Sequence, residues 1–228
     1  MKEPKLKDIL DELVRLGYSI DRRKYALNVV GIRSDQKTSP VEFDDYIALF
    51  YFDENGKLEG EVVPATTDPS VNYLQKPMNA QGTAILKSGQ YKDTYTIGLH
   101  RGKYNALTQR LAPVTVIRDS DRNAYINYLA PTYKGYFGIN IHRASRGKRN
   151  EAVIGLDSAG CQVFRDEKDF DKMMILANRH KSLYGNKFTY TLIDRRDPVK
   201  FRNTSIVLII AGIMAFYGYY AYRKLRKG

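Results

Sequence analysis

The sequence predicts a mainly β chain with flanking helices, an α+β fold, followed by one apolar helix near its C-terminal end. Three observations carry this. Short stretches of alternating apolar and polar residues recur along most of the chain between turn residues. Helical spacing of apolar residues is confined to two stretches. Residues 203–222, "NTSIVLIIAGIMAFYGYYAY", hold no charge.

In chain order, Leu6, Ile9, Leu10, Leu13 and Leu16 recur at helical spacing ahead of Gly17, which predicts an amphipathic helix within an N-terminal segment, residues 1–20. Strands follow in "YALNVVGI" (25–32), "DYIALFYF" (45–52) and "LEGEVVPA" (58–65), the last two joined as a hairpin by a turn around Asn55 and Gly56. Further strands are expected at 83–86, 94–100, 113–118, 136–142, 161–164 and 187–193. Helical periodicity returns in "EKDFDKMMILANRHKSLYG", where Phe170, Met173, Met174 and Ala177 line one side. The body therefore runs over residues 21–194, with a linker at 195–202, a span at 203–222 and a basic tail at 223–228. A helix over 203–222 is about 30 Å long, enough to cross the hydrocarbon core of a bilayer. Its flanks agree: Tyr217, Tyr219, Tyr220 and Tyr222 gather at one end and "RKLRK" follows. The N-terminus lacks an apolar signal region, so a single-pass, C-terminally anchored membrane protein is expected. Orientation stays open, because Arg195, Arg196, Lys200 and Arg202 balance the four basic residues of the tail. The oligomeric state is open as well.

The net charge of +12 favours anionic surfaces. No RNP-like motif, zinc-finger spacing or long basic helix accompanies it, so no specific nucleic-acid partner is expected. One cysteine excludes an intrachain disulfide, and three scattered histidines provide no zinc spacing, so no metal is assigned. "RDSDRN" (118–123) starts like a calcium loop but has no central Gly and has Ala130 at the twelfth position, so it reads as a polar turn.

In "YFGINIHRA", alternation places Phe137, Ile139 and Ile141 on one face and Tyr136, Gly138, Asn140 and His142 on the other. Cys161 opens another strand after "SAG", where small residues admit a ligand and expose backbone N–H donors. A cysteine and a histidine on neighbouring strand ends are the minimum set for thiol catalysis, yet a lone cysteine in an apolar strand is also a common core residue. Spacing alone leaves both readings open. His100 also ends a strand and reads more simply as a solvated or packing histidine; His180 reads as a partner of a helix C-terminus.

"GINIHRASRGKRNEAVIGLDSAGCQVF" (138–164) resembles the active-site region of the L,D-transpeptidase (YkuD-like) family, in which a strand ends in His and a loop leads to Ser-His-Gly-Cys. "VVPATTDPS" and "KPMNAQGTAILKSGQY" resemble that family's upstream strand and hairpin, so the similarity covers residues 58–193. The resemblance implies an L,D-transpeptidase-like β-sandwich with Cys161 as nucleophile and His142 as base. It further implies that the Arg143 carbonyl orients the imidazole, that the Gly160 and Cys161 N–H groups form an oxyanion hole, and that Ser158 shapes the loop. The implied substrates are peptidoglycan stem peptides, attacked through an acyl-cysteine without metal or cofactor. Two positions depart from the motif: Ala159 stands for its second His and Val163 for its Arg, which leaves Arg143 or Arg165 to meet a substrate carboxylate. Hydrolysis and transpeptidation both remain open. As an enzyme, the chain is expected to have its Cys161 pKa lowered by His142, and its architecture suits a phage lytic or virion enzyme or a bacterial envelope enzyme. The alternative is a non-catalytic, membrane-anchored structural or wall-binding protein that keeps the fold.

Overall fold

Apolar alternation closes the strands around one core. The computed structural model describes residues 3–35, 39–145 and 153–196, and its first compact unit ends at Asp194. The elements are α1 (Leu6–Arg15), β1 (Asn28–Arg33), β2 (Asp45–Phe52), β3 (Leu58–Thr66), α2 (Val71–Gln75), β4 (Thr83–Leu86), β5 (Gly89–His100) and β6 (Tyr104–Gln109). After these come β7 (Val114–Asp119), β8 (Thr132–Gly135), β9 (Ile141–Arg143), β10 (Gln162–Phe164), α3 (Glu167–Tyr184) and β11 (Phe188–Asp194).

The chain is mainly β with three helices among the described residues. Where a two-sheet sandwich is expected, eight strands instead close into a barrel in the order β1-β11-β5-β6-β9-β10-β3-β2, and β4-β7-β8 form a separate sheet. Closure arises because β1 pairs with β2 on one side and, in parallel, with β11 on the other, so no edge of the main sheet is left unpaired. Leu49, Val63, Leu107, Ile141, Phe164 and Tyr190 fill the main core, and α3 buries Phe170, Met173 and Ala177 against it. The helix α1 lays Ile9 and Leu13 on Val30, Ile32, Phe50 and Phe52 of the other sheet face. Gly17, at φ 70°, ends α1 where the sequence places its stop.

The strand expected at 136–142 shrinks to Ile141–Arg143. Gln109 Oε1 accepts the N–H groups of Phe137 (3.0 Å), Gly138 (2.9 Å) and Ile139 (3.3 Å), so a side chain takes the place of a neighbouring strand. The span at 203–222, the tail and most of the linker lie outside the described residues. Among those described, no helix is long and apolar enough to cross a membrane.

Candidate active site

The parallel pairing of β9 with β10 positions the two residues singled out for chemistry. Gln162 lies opposite Ile141 and Val163 opposite His142, so Cys161, one residue earlier, lies beside Asn140. Alternation turns Ile141, Gln162 and Phe164 into the barrel and leaves Cys161 and His142 on the outer face as diagonal neighbours. Both line a cleft of 360 Å³ with His100, Arg101, Arg118, Gly138, Asn140, Asp157 and Ala159.

His142 is buried, and its Nδ1 lies 2.8 Å from the Arg143 carbonyl. A carbonyl only accepts, so Nδ1 carries the hydrogen and Nε2 keeps its lone pair for a proton. Burial, then the neighbouring His100, pushes the imidazole down to about 3, so the ring is neutral at ordinary pH. The Tyr104 hydroxyl donates to the same carbonyl at 3.4 Å, and the Arg143 guanidinium lies over the Tyr104 ring.

Cys161 is partly exposed, and Sγ–H points to the Gly138 carbonyl at 3.5 Å rather than to the imidazole. Burial pushes the thiol up to about 11, opposed by the Asn140 backbone N–H facing the sulfur. This corrects the expectation of a thiol lowered by His142: a neutral ring offers no charge to stabilise a thiolate, and desolvation outweighs the Asn140 N–H and the Arg101 charge. The resting pair is thiol and neutral imidazole.

The turn before the sulfur is held by Ser158, which is fully buried. Its one hydroxyl proton faces the carbonyls of Asp68 and Cys161, each 2.8 Å away, and its oxygen accepts Gly160 N–H at 3.2 Å. The Gly160 N–H thus has an internal partner, leaving Cys161 N–H as the motif's other donor for an oxyanion. Gly160 takes φ 119°, and a Cβ there would lie 2.1 Å from the Ala84 carbonyl. Behind the sulfur, Gln162 is tied inside the barrel, its Oε1 accepting the Tyr190 hydroxyl at 2.7 Å.

The cations lining the Cys161 cleft are not the ones chosen from sequence. Arg143 sits 3.5 Å from Glu167 and lines an adjoining lobe of 440 Å³, while Arg165 lines neither lobe. Arg118 and Arg101 line the Cys161 cleft instead. Arg118 donates to the Gly82 carbonyl at 2.9 Å, rests on the Phe137 ring and keeps a buried Nε without a hydrogen-bond partner. Among the described residues neither arginine has a carboxylate partner. His100, Asn140, Tyr104 and Arg118 are therefore site residues that sequence reasoning missed or set aside. Asn140 shares the polar face of His142 in the alternation, which is a usable signal; Arg118, on β7, has none nearby in sequence.

His180 is no helix-end cation. It is buried, its Nδ1 accepts Leu27 N–H at 3.0 Å, and burial lowers its pKa. In the polar turn, Asp119 accepts the backbone N–H groups of Asp121 (3.0 Å) and Asn127 (2.8 Å). No family model matches the chain, and no curated protein matches it.

Proposed function

We propose that the protein is a cysteine acyl-transfer enzyme acting on amide substrates that carry a carboxylate near the scissile bond. Peptidoglycan stem peptides are the class implied by the resemblance to L,D-transpeptidases, and residues 203–222 would hold the enzyme at a bacterial envelope or phage virion membrane. The observation that carries this reading is the shared cleft, in which His142 has Nδ1 tied to the Arg143 carbonyl and so keeps Nε2 as a base beside Cys161.

The neutral pair makes His142 a general base rather than half of an ion pair. Sγ attacks the carbonyl carbon as its proton passes to Nε2, and the Cys161 N–H faces the developing oxyanion. Collapse breaks the C–N bond, and the imidazolium returns the proton to the leaving amine. A thioester remains on Cys161. Water or an amine then attacks the thioester carbonyl as it gives a proton to the same nitrogen; the C–S bond breaks, the acyl product leaves, and the imidazolium returns the proton to Sγ. A thiolate is not the resting nucleophile, so proton transfer must accompany attack. Loose contacts before substrate binds do not argue against a base. Arg101 and Arg118 supply charge-assisted donors for the substrate carboxylate.

The full-length chain, incubated with purified stem peptides, is expected to gain the mass of an acyl group on Cys161 and to release peptide fragments. Cys161→Ala should do neither. The raised thiol pKa and the engaged Gly160 N–H favour a second reading, a binding protein that keeps the fold without turnover. Retention of stem peptides by both proteins, without adduct or cleavage, would select it.

A further inference from the structure

His100 belongs to no motif, yet it covers the base. Its ring stacks on His142 with centroids 4.0 Å apart and planes at 26°, and both side chains are buried. The sharp turn at Arg101 and Gly102, both at positive φ, carries the chain from His100 at the end of β5 to Tyr104 at the start of β6. The same turn delivers Arg101 to the cleft.

Hydrogen bonding fixes the His100 tautomer. Gln109 N–H finds an acceptor in Asn140 Oδ1 at 3.0 Å, so Asn140 presents its Nδ2–H to His100 Nδ1 at 3.1 Å. Nδ1 accepts, and the His100 proton sits on Nε2. A face-on stack cannot hydrogen-bond to His142, so what His100 gives its neighbour is a fixed ring plane and one face closed to water. The remaining groups around His142 are Tyr104 on β6, Arg143 on β9, Arg101 in the turn, and Cys161 and Asp157 across the cleft. Two of them are cations, which add to the cost of a charged imidazole.

We propose that His100 is a positioning residue whose stacked ring holds the plane of His142 and shuts water from one face, keeping the base available in mildly acidic surroundings. This rests on the reading of His142 as the base and adds a second imidazole, from a distant strand, at a site whose motif has Ala159 where its second histidine would be.

The test is a titration of His142 by nitrogen-15 NMR in the full-length chain, without substrate, with the rate of Cys161 alkylation by iodoacetamide followed over the same pH range. Only three histidines need assignment. His100→Asn removes the ring but keeps an acceptor for Asn140; His100→Phe keeps a ring and loses the acceptor. The expected result is a His142 midpoint raised by about one pH unit or more in His100→Asn, as water reaches the ring, and close to wild type in His100→Phe. The acid limb of alkylation should move with it. An unchanged midpoint in His100→Asn, or a rise in His100→Phe alone, overturns the proposal. A midpoint shift in a protein that never forms an acyl-Cys161 removes the enzyme reading and leaves the role of His100 intact.

Discussion

At the scale of single residues, burial sets the ionisation of the site. His142 is pushed down to about 3 and His100 to about 4, both below the unfolded value of about 6.5. Above that value both states are neutral and neither histidine affects stability. As the pH falls below it, the unfolded chain takes up protons that the folded chain refuses, so stability is lost. Asp45 runs the other way. It is fully buried and pushed up to about 7, so between pH 7 and the unfolded carboxylate value the folded chain holds the extra proton and gains stability as pH falls. Burial lowers His180 in the same direction, so three losses outweigh one gain, and the melting temperature should peak near pH 6.5 and fall toward pH 4. His100→Phe should flatten that fall, which scanning calorimetry across the range would detect. Arg118→Gln should raise KM for a carboxylate-bearing substrate about tenfold and leave it unchanged for the amidated analogue, since the guanidinium contributes charge-assisted bonds to the carboxylate. Equal effects on both substrates in steady-state kinetics would count against that role. The polar face that carries Asn140 and His142 was legible in the alternation of 136–142, while Cys161 stood out through the resemblance to a family motif and not through spacing. The direction of the thiol shift was not legible, because desolvation depends on what the rest of the chain packs around the sulfur.

Among the elements, the segment from Ser158 to Phe164 carries the site, and it is held by groups distant in sequence. Ser158→Ala leaves the Gly160 N–H and the Asp68 and Cys161 carbonyls without their shared partner, a loss of about 1–3 kcal/mol in chemical denaturation. Gly160→Ala should be worse, because an added Cβ meets the Ala84 backbone and the positive φ is strained for any side chain. Destabilisation by about 3 kcal/mol or more is expected, with iodoacetamide labelling of Cys161 changed in the folded fraction. Hairpin β2–β3 was readable from Asn55 and Gly56, where Asp53 Oδ1 accepts two turn N–H groups at 2.8 Å. Strand β6 was not read, since Ala106, Leu107, Thr108 and Gln109 are all buried and show no period of two. The end of 136–140 as a strand also escaped reading, because the partner is a Gln109 side chain from another strand.

For the whole molecule, a buried ion cluster joins the barrel to its surroundings. Arg33, fully buried at the end of β1, pairs with Asp68 at 2.8 Å and Asp194 at 3.2 Å and donates to the Thr67 and Leu86 carbonyls. It thereby connects the ends of β1, β3, β4 and β11, and through Asp68 the loop that holds Ser158. Arg33→Met leaves buried carboxylates without their cation, and a cost of about 3–5 kcal/mol is expected, measured as a lowered denaturation midpoint. The sequence by itself determined the mainly β character, most strand positions and both long helices. Those follow from periodicity, turn residues and glycine stops, which are local. Tertiary structure alone decided that the main sheet closes into a barrel, that His100, Asn140 and Arg118 join the cleft and Tyr104 its adjoining lobe, and that the thiol and imidazole rest neutral. Each of these depends on which strands become neighbours and how much water they exclude, and neither quantity is written in any one stretch of chain.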